Sequence, residues 1–351
     1  MTRFCPDRLQ SFATDVYLAK GVPEPQAAHL AATLVAADLW GHSSHGIMRL
    51  FWYGARFDSG VTKTGSQPAV TLDTGPLLGL DGADGIGQWV AQHAVDLAAE
   101  RAARHGIAAV SIRNSGHFGT AMFFTRQLAE AGMIGFLASN ASPAIPPEGG
   151  AEKLIGNNPQ SWAAPTGLDA PFVLDFAHSA VARGKIYLAK EAGQAIPDDW
   201  ALDADGNPTT DPGAAITGTL LPMAGHKGAG LAAMMDVLGG LLSGGGHGAA
   251  VAGPYVADRR SGAGHLLIAI NIASLRPLGD FTAEMQQMIA SWKASRPRPG
   301  AQAILYPGEP EHLHEMMTRR DGIALPRDMV ARLCEEAGAI GVAITPRQLA
   351  L

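Results

Sequence analysis

The segment Asp38-Leu-Trp-Gly-His-Ser-Ser-His-Gly-Ile-Met-Arg49 carries an acid, two imidazoles and a guanidinium at spacings of four, three and four residues. Wound as a helix, that spacing puts Asp38, His42, His45 and Arg49 on one stripe. A guanidinium offers a planar fork to a carboxylate. An imidazole one turn away passes a proton near neutral pH. Together they point to a site for a small carboxylic acid whose neighbouring carbon is oxidised or reduced. A surface Asp–Arg pair beside two ordinary histidines is the plain structural account. Gly41 and Gly46 bracket the Ser-Ser-His and let backbone or ligand approach closely, which favours chemistry.

Two glycine loops come next. Ser115-Gly-His117-Phe118-Gly119-Thr120 sits between a strand and a helix, where free amides form an anion cradle or a plain capped turn. Gly225-His226-Lys227-Gly228-Ala-Gly230 repeats the design with a cation added. It is neither a phosphate-binding GxxxxGK[ST] loop nor a dinucleotide GxGxxG, because the order is GxxGxG. Asp175-Phe-Ala-His178-Ser179 ends a strand and opens a helix, which an N-cap explains. Gly156-Asn157-Asn158-Pro159 is a turn whose amides could also orient a substrate. Tyr306-Pro-Gly-Glu309 reads as a turn, and Asp236 as a buried acid with a hidden partner.

The elements that must position these residues follow from pattern. Residues 7–37 predict two amphipathic helices broken near Gly21-Val-Pro-Glu-Pro25, with the stripe ending the second or opening a third. Residues 58–84 suit short strands and turns. A long helix spans 87–105, with Trp89, Val90, His93, Ala94 and Leu97 on one face and Gly106 as its cap. Strands are expected at 107–112, 134–139, 172–176 and 265–272, and helices at 121–131, 178–192 and after Gly225. The tail, 281–351, predicts two or three helices. The fold class is therefore α/β (α+β): a central sheet domain over 76–280, and a mostly helical domain built from 1–75 and 281–351.

Of 351 residues, 47% are hydrophobic and only 17% charged, so a large core is affordable and some surface is expected to be buried in an oligomer. A net charge of −6 argues against nucleic acid. Cys5 and Cys334 lie in no ligand spacing, which fits a reducing, cytoplasmic setting. The start of the sequence reads as no signal peptide, and the most apolar stretch, 229–242, is too short and carries Asp236, so no membrane span is expected.

With these marks in order, the chain resembles the type-2 malate/L-lactate dehydrogenase family, which also holds ureidoglycolate, sulfolactate and diketogulonate enzymes and cyclic-ketimine reductases. The resemblance rests on Ser44-His45-Gly46…Arg49, Ser115-Gly-His117, Gly156-x-Asn158-Pro159, Asp175-x-Ala177-x-Ser179…Arg183-Gly-Lys185, Gly225-His-Lys-Gly228 and Pro307-Gly-Glu309. It implies NAD or NADP on a fold unrelated to the Rossmann domain, and a homodimer. It implies His45 as proton carrier with Ser44 as relay partner, and Arg49 on the substrate carboxylate. His117, Phe118, Gly119, Thr120 and Ala121 would line the nicotinamide end. Asp175, Phe176, Ala177, His226, Lys227, Pro307, Gly308 and Glu309 would hold the rest of the cofactor. In some members the histidine matching His117 is itself the base.

Three positions depart from the family pattern. Trp40 stands where an arginine is common, and Asn157 where a threonine often contacts substrate. Lys185 stands where the ketimine-reducing branch carries an aspartate. The last favours a 2-hydroxy/2-oxo acid over a cyclic imine. Two other classes compete: a metal-dependent hydrolase or lyase using His42, His45, His117 and His226, and a nucleotide-binding module without catalysis.

Overall fold

A computed structural model describes residues 2–351. Its centre follows from the apolar run His265-Leu-Leu-Ile-Ala-Ile. Such a run suits a strand buried on both faces, and the strand Ala263–Asn271 lies in the middle of a seven-stranded sheet. Across the sheet the order is Ala69–Asp73, Leu77–Asp81, Ile107–Ser115, Ala263–Asn271, Met133–Ser139, Gln160–Ala164 and Phe172–Phe176. Leu267 pairs with Val110 on one side and Leu137 on the other. Only the second and third strands run parallel; every other neighbouring pair is antiparallel. The protein is a mixed α/β fold.

One face of the sheet is covered by the helix Gly87–His105, through Val90, Ala91, Ala94, Val95, Ala98 and Ala102. Small side chains let this helix lie close, and Trp89, His93 and Leu97 flank the contact. It begins against the loop after Ile107–Ser115: a Cβ on Gly87 would stand 2.4 Å from the Gly116 carbonyl oxygen. It ends at Gly106, which is left-handed at φ 83°. The helix Met122–Glu130 shares this cluster through Phe124 and Leu128. On the other face, Phe136, Ala138 and Leu266 meet Met235 of the helix His226–Asp236.

Another apolar cluster draws on both ends of the chain. Phe4, Leu9, Phe12, Leu30 and Leu34 pack with Ile323, Leu325, Val330 and Leu349, and Thr2–Phe4 pairs antiparallel with Ile323–Leu325. Ile47 and Leu50, which flank Arg49, are buried in it.

Three expectations need correction. The helix expected over 178–192 spans only Arg183–Glu191. His178 to Ala180 stay outside the helix, because Ser179 bridges Pro222 and the Ala180 N–H donates to the Leu221 carbonyl. The tail has four helices, Leu278–Lys293, Glu309–Asp321, Arg327–Ala339 and Pro346–Leu349, as well as the strand that pairs with the N-terminal one. The stripe from Asp38 to Arg49 is not helical throughout. The helix Glu24–Leu39 ends before Gly41, which is left-handed, and two short 3-10 turns, Ser43–His45 and Ile47–Arg49, precede the helix Leu50–Asp58.

Candidate functional site

The two turns are pinned from below by Asp38. Its Oδ2 accepts the Ile47 N–H at 2.7 Å, and the side chain is 4% exposed. Burial pushes its carboxyl up to about 7, against the pull of the Ile47 N–H. Gly46 lies directly above, where a Cβ would stand 2.0 Å from Asp38 Oδ1. Only glycine fits there. The acid of the stripe is thus the anchor of the turns, and the remaining members part company.

His42 turns one way. Its Nδ1 lies 3.1 Å from Thr120 Oγ1, whose own hydroxyl donates to Asp175 Oδ2 at 2.9 Å. With the threonine proton already given, His42 Nδ1 is the donor. Its Nε2 faces Glu311 at 3.8 Å, and His42 holds that glutamate below the usual carboxylate range. Asp175 also caps the helix Met122–Glu130 by accepting the Met122 N–H at 2.7 Å; burial raises its pKa.

His45 and Arg49 turn the other way. The His45 ring stacks on His117, with centroids 5.4 Å apart and planes 19° apart. Ser44 Oγ lies 2.9 Å from His45 Nδ1. Burial, then Arg49 and His42, push the His45 pKa down to about 3. Arg49 is anchored by Nε to the Ser44 carbonyl and lies 5.2 Å from the centre of the Trp52 ring. Its guanidinium lies against the Tyr53 hydroxyl, and burial lowers its pKa. Nη1 is buried without a hydrogen-bond partner, and no carboxylate pairs with this cation among the described residues. A desolvated cation left unpaired is costly. The fork is left open to an anion from outside the chain.

His117 stands between these groups. Its Nδ1 receives the Gly119 N–H at 3.1 Å and lies 2.7 Å from the Tyr53 hydroxyl. Burial and the cations around it hold its pKa well below the usual imidazole range. Phe118 and Ala121 are buried in the sheet's core cluster, so this loop offers backbone and the His117 ring rather than those two side chains.

The remaining sequence candidates are spread further. Phe176 packs edge-on against His178 at 5.1 Å, and Ala177 is half-buried beside it. Pro307 joins the sheet edge by accepting the Val173 N–H, and Gly308 is left-handed at φ 94°. Glu309 pairs with Lys293 and accepts the Tyr306 N–H. Asn157 is half-buried, and its carbonyl accepts the His178 N–H. His226 and Lys227 are exposed at the start of the helix His226–Asp236, and among the described residues neither pairs with a carboxylate nor bonds to the His45 cluster. Gly119, Gly225 and Gly230 face open space.

Of the departures from pattern, Trp40 is buried, with its Nε1 on Glu315, and Lys185 is exposed. Among the described residues, no three His, Cys, Asp or Glu side chains group to hold a metal ion. No helix there is long and apolar enough to cross a membrane.

The sequence reading missed Tyr53, Arg56, Gln88 and His265. Tyr53 carried a signal, since it lies one helical turn beyond Arg49. Arg56, two turns beyond Arg49 on the same helix, carried it too, whereas Gln88 and His265 come from distant elements and had none.

The sequence model of the malate/L-lactate dehydrogenase family matches residues 4–334. The chain is 37% identical over 347 residues to a malate dehydrogenase of Pyrococcus horikoshii, covering 96% of this chain and 95% of that one. It is 36% identical over 322 residues to a ureidoglycolate dehydrogenase (NAD(+)) of Escherichia coli O157:H7, covering 90% of each. Among solved structures, a sulfolactate dehydrogenase from Methanocaldococcus jannaschii superposes with a TM-score of 0.92 at 33% identity, over 97% of this chain and 98% of that one.

Proposed function

The chain belongs to the malate/L-lactate dehydrogenase family, and from that premise we propose that it interconverts a small 2-hydroxy acid and its 2-oxo acid with NAD or NADP. The observation that carries this reading is Arg49 Nη1, buried and unpartnered, on the same short turn system as a neutral imidazole. A bound nicotinamide dinucleotide supplies the acceptor, or in reverse the donor, of the C2 hydride. The residues present fit such a group: Lys227 is exposed without a carboxylate partner, and open glycine backbone precedes two helices. In this reading His226 and Lys227 hold phosphate charge, with the Asp175–Ala177 and Pro307–Glu309 segments contributing along the sheet edge.

Arg49 grips the acid's carboxylate in a bidentate fork and so fixes C2. In oxidation, neutral His45 takes the hydroxyl proton at Nε2 while its Nδ1–H donates to Ser44 Oγ. The C–H electron pair leaves as hydride and the C2–O bond becomes a carbonyl. In reduction, protonated His45 returns that proton to the oxo oxygen. A bound carboxylate offsets the Arg49 charge and so raises the His45 pKa once substrate is in place.

The finer architecture belongs to the same reading. The cofactor is held by a fold other than the parallel dinucleotide-binding sheet, supported by the single parallel strand pair and by GxxGxG in place of GxGxxG. A helical domain built from both ends of the chain is supported by their shared apolar cluster, but the expected boundary at 75 is too late, because Ala69–Asp73 is the outer strand of the central sheet. A homodimer is supported by the exposed Leu231, Met234, Val237 and Leu241 on one helical run. A cytoplasmic setting is supported by two unbridged cysteines.

The test is a spectrophotometric screen of 2-oxo and 2-hydroxy acids with NAD(H) and NADP(H). Turnover of at least one acid, lost in an Arg49→Met variant, is the expected outcome. Full activity in that variant would sink the assignment of Arg49.

A further inference from the structure

His45 and His117 stack as near equals, and either ring could carry the proton of a hydroxy-acid oxidation. Their surroundings differ in a way that separates them. The Gly119 N–H can only donate, and it points at His117 Nδ1 from 3.1 Å. Nδ1 is therefore an acceptor and carries no hydrogen of its own. The Tyr53 hydroxyl, 2.7 Å from the same atom, must then donate as well. Its oxygen also faces Arg49, which can only donate, and the Gln88 side chain. A neutral ring with two donors on Nδ1 carries its proton on Nε2.

Nothing near His117 rewards a second proton. The titratable and charged groups facing it are Arg49, Arg56, His45, His265 and Tyr53, and none is a carboxylate. Behind Tyr53 and His117 lies a pocket of about 10 Å³, lined also by Arg56, Gln88 and Ser261. Arg56 Nη2 and both polar atoms of the Gln88 side chain are buried there without partners. The space is of the size of one water, the natural bridge for such atoms. His45 has a different neighbour. Ser44 Oγ both donates and accepts, so His45 Nδ1 is free to gain or lose a hydrogen as Nε2 works.

We propose that Tyr53, with the Gly119 amide, locks His117 as an Nε2–H tautomer, making His117 a fixed hydrogen-bond donor to the bound acid and leaving proton transfer to His45. Tyr53 is on this account a positioning residue. The donor role rests on the dehydrogenase reading, whereas the tautomer does not.

The test begins with nitrogen-15 NMR of the full-length protein labelled at histidine, with His117 assigned from an H117N spectrum. Nε2 of His117 is expected to be protonated, Nδ1 bare, and neither to titrate between about pH 5 and 9. An Nδ1–H tautomer, or a midpoint inside that range, would overturn the lock. This measurement needs no turnover, so it decides on His117 even if every acid in the panel is refused.

Kinetics then address the role. Tyr53→Phe is expected to lower kcat about tenfold while KM for the acid stays within about twofold, as for loss of a supporting hydrogen bond. His117→Gln, whose amide still offers a donor, is expected to keep kcat within about tenfold, whereas His45→Gln loses at least about a hundredfold. Equal losses at the two histidines, or a Tyr53→Phe enzyme with unchanged kcat and unchanged His117 resonances, would refute the division of labour.

Discussion

Arg49 Nη1 stays unpaired although the Ser44 carbonyl holds Nε of the same guanidinium. The side chain is therefore aimed but not satisfied. Lysine has no fork to aim. Arg49→Lys should raise KM and lower kcat together, and cut kcat/KM by roughly ten- to a hundredfold, the loss of one charge-assisted bond worth about 1.5–3 kcal/mol. Steady-state kinetics on the acid that the enzyme turns over checks this; an unchanged kcat/KM would mean that the fork faces elsewhere.

Removing the His45 imidazole tests the proton transfer without disturbing the cofactor. His45→Ala should cost roughly a hundredfold to ten-thousandfold in kcat. Dinucleotide affinity, followed by quenching of tryptophan fluorescence, should hold. Near-normal turnover would hand the role to another group.

The pH profile separates the free and loaded enzyme. His45 is driven down to about 3 by burial, Arg49 and His42, so it is neutral and ready to accept a proton throughout the usual imidazole range. For oxidation, kcat/KM reports the free enzyme and should show no acid limb from His45 near 6.5. The limb in kcat should lie at higher pH, because the bound carboxylate cancels part of the Arg49 field. The stability sign follows too. A histidine depressed in the fold stabilises fully above about 6.5, and that contribution fades as pH falls towards 3. Coincident limbs in the two profiles would contradict the coupling of Arg49 to His45.

Asp38 is the opposite case. Its carboxyl is raised from 3.8 to about 7, so the fold keeps a proton that the unfolded chain has released. This group withdraws stability as pH rises from about 4 to 7 and takes no more above that. Asp38→Asn keeps an acceptor for Ile47 and should be more stable than the parent at pH 8, by about 1–3 kcal/mol, with little difference at pH 4. Asp38→Ala orphans the Ile47 N–H and should cost about 1–3 kcal/mol at either pH. Urea midpoints at the two pH values decide. Equal pH dependence in Asp38→Asn and the parent would remove Asp38 from the account.

Lys227 reports on the cofactor alone. Lys227→Ala should weaken dinucleotide binding about tenfold, the worth of a contact to a charged group, and leave KM for the acid unchanged. Isothermal titration with the dinucleotide measures it; an unaltered Kd would place the phosphates away from the second glycine loop.

Much of the frame was legible because it rests on local pattern. The apolar run at 265–272, the alanine-faced helix from Gly87 and the break at Gly21–Pro25 each declare themselves within a dozen residues. The helical stripe read from the spacing is not the backbone that the chain adopts there. What unwinds it is a bond from the Asp38 side chain to a main-chain N–H nine residues on, and no periodicity records that. Unwinding then divides the set, sending His42 to Thr120 and Glu311 while His45 and Arg49 meet His117. The Tyr53–His117 contact spans 64 residues and joins a helix to a loop, so it exists only once the chain has folded. The pairing of Thr2–Phe4 with Ile323–Leu325 escaped for the same reason.

That last pairing sets an order on assembly. Leu50, next to Arg49, shares a buried cluster with Phe4, Ile323 and Leu349. During synthesis, residues 323–349 emerge some three hundred positions after the segment they must clasp. Until then the sheet can form from 69 to 271, while the turns bearing His45 and Arg49 lack their floor. The corner bearing His45 and Arg49 is thus completed only when the tail arrives, and damage far along the tail would be felt there.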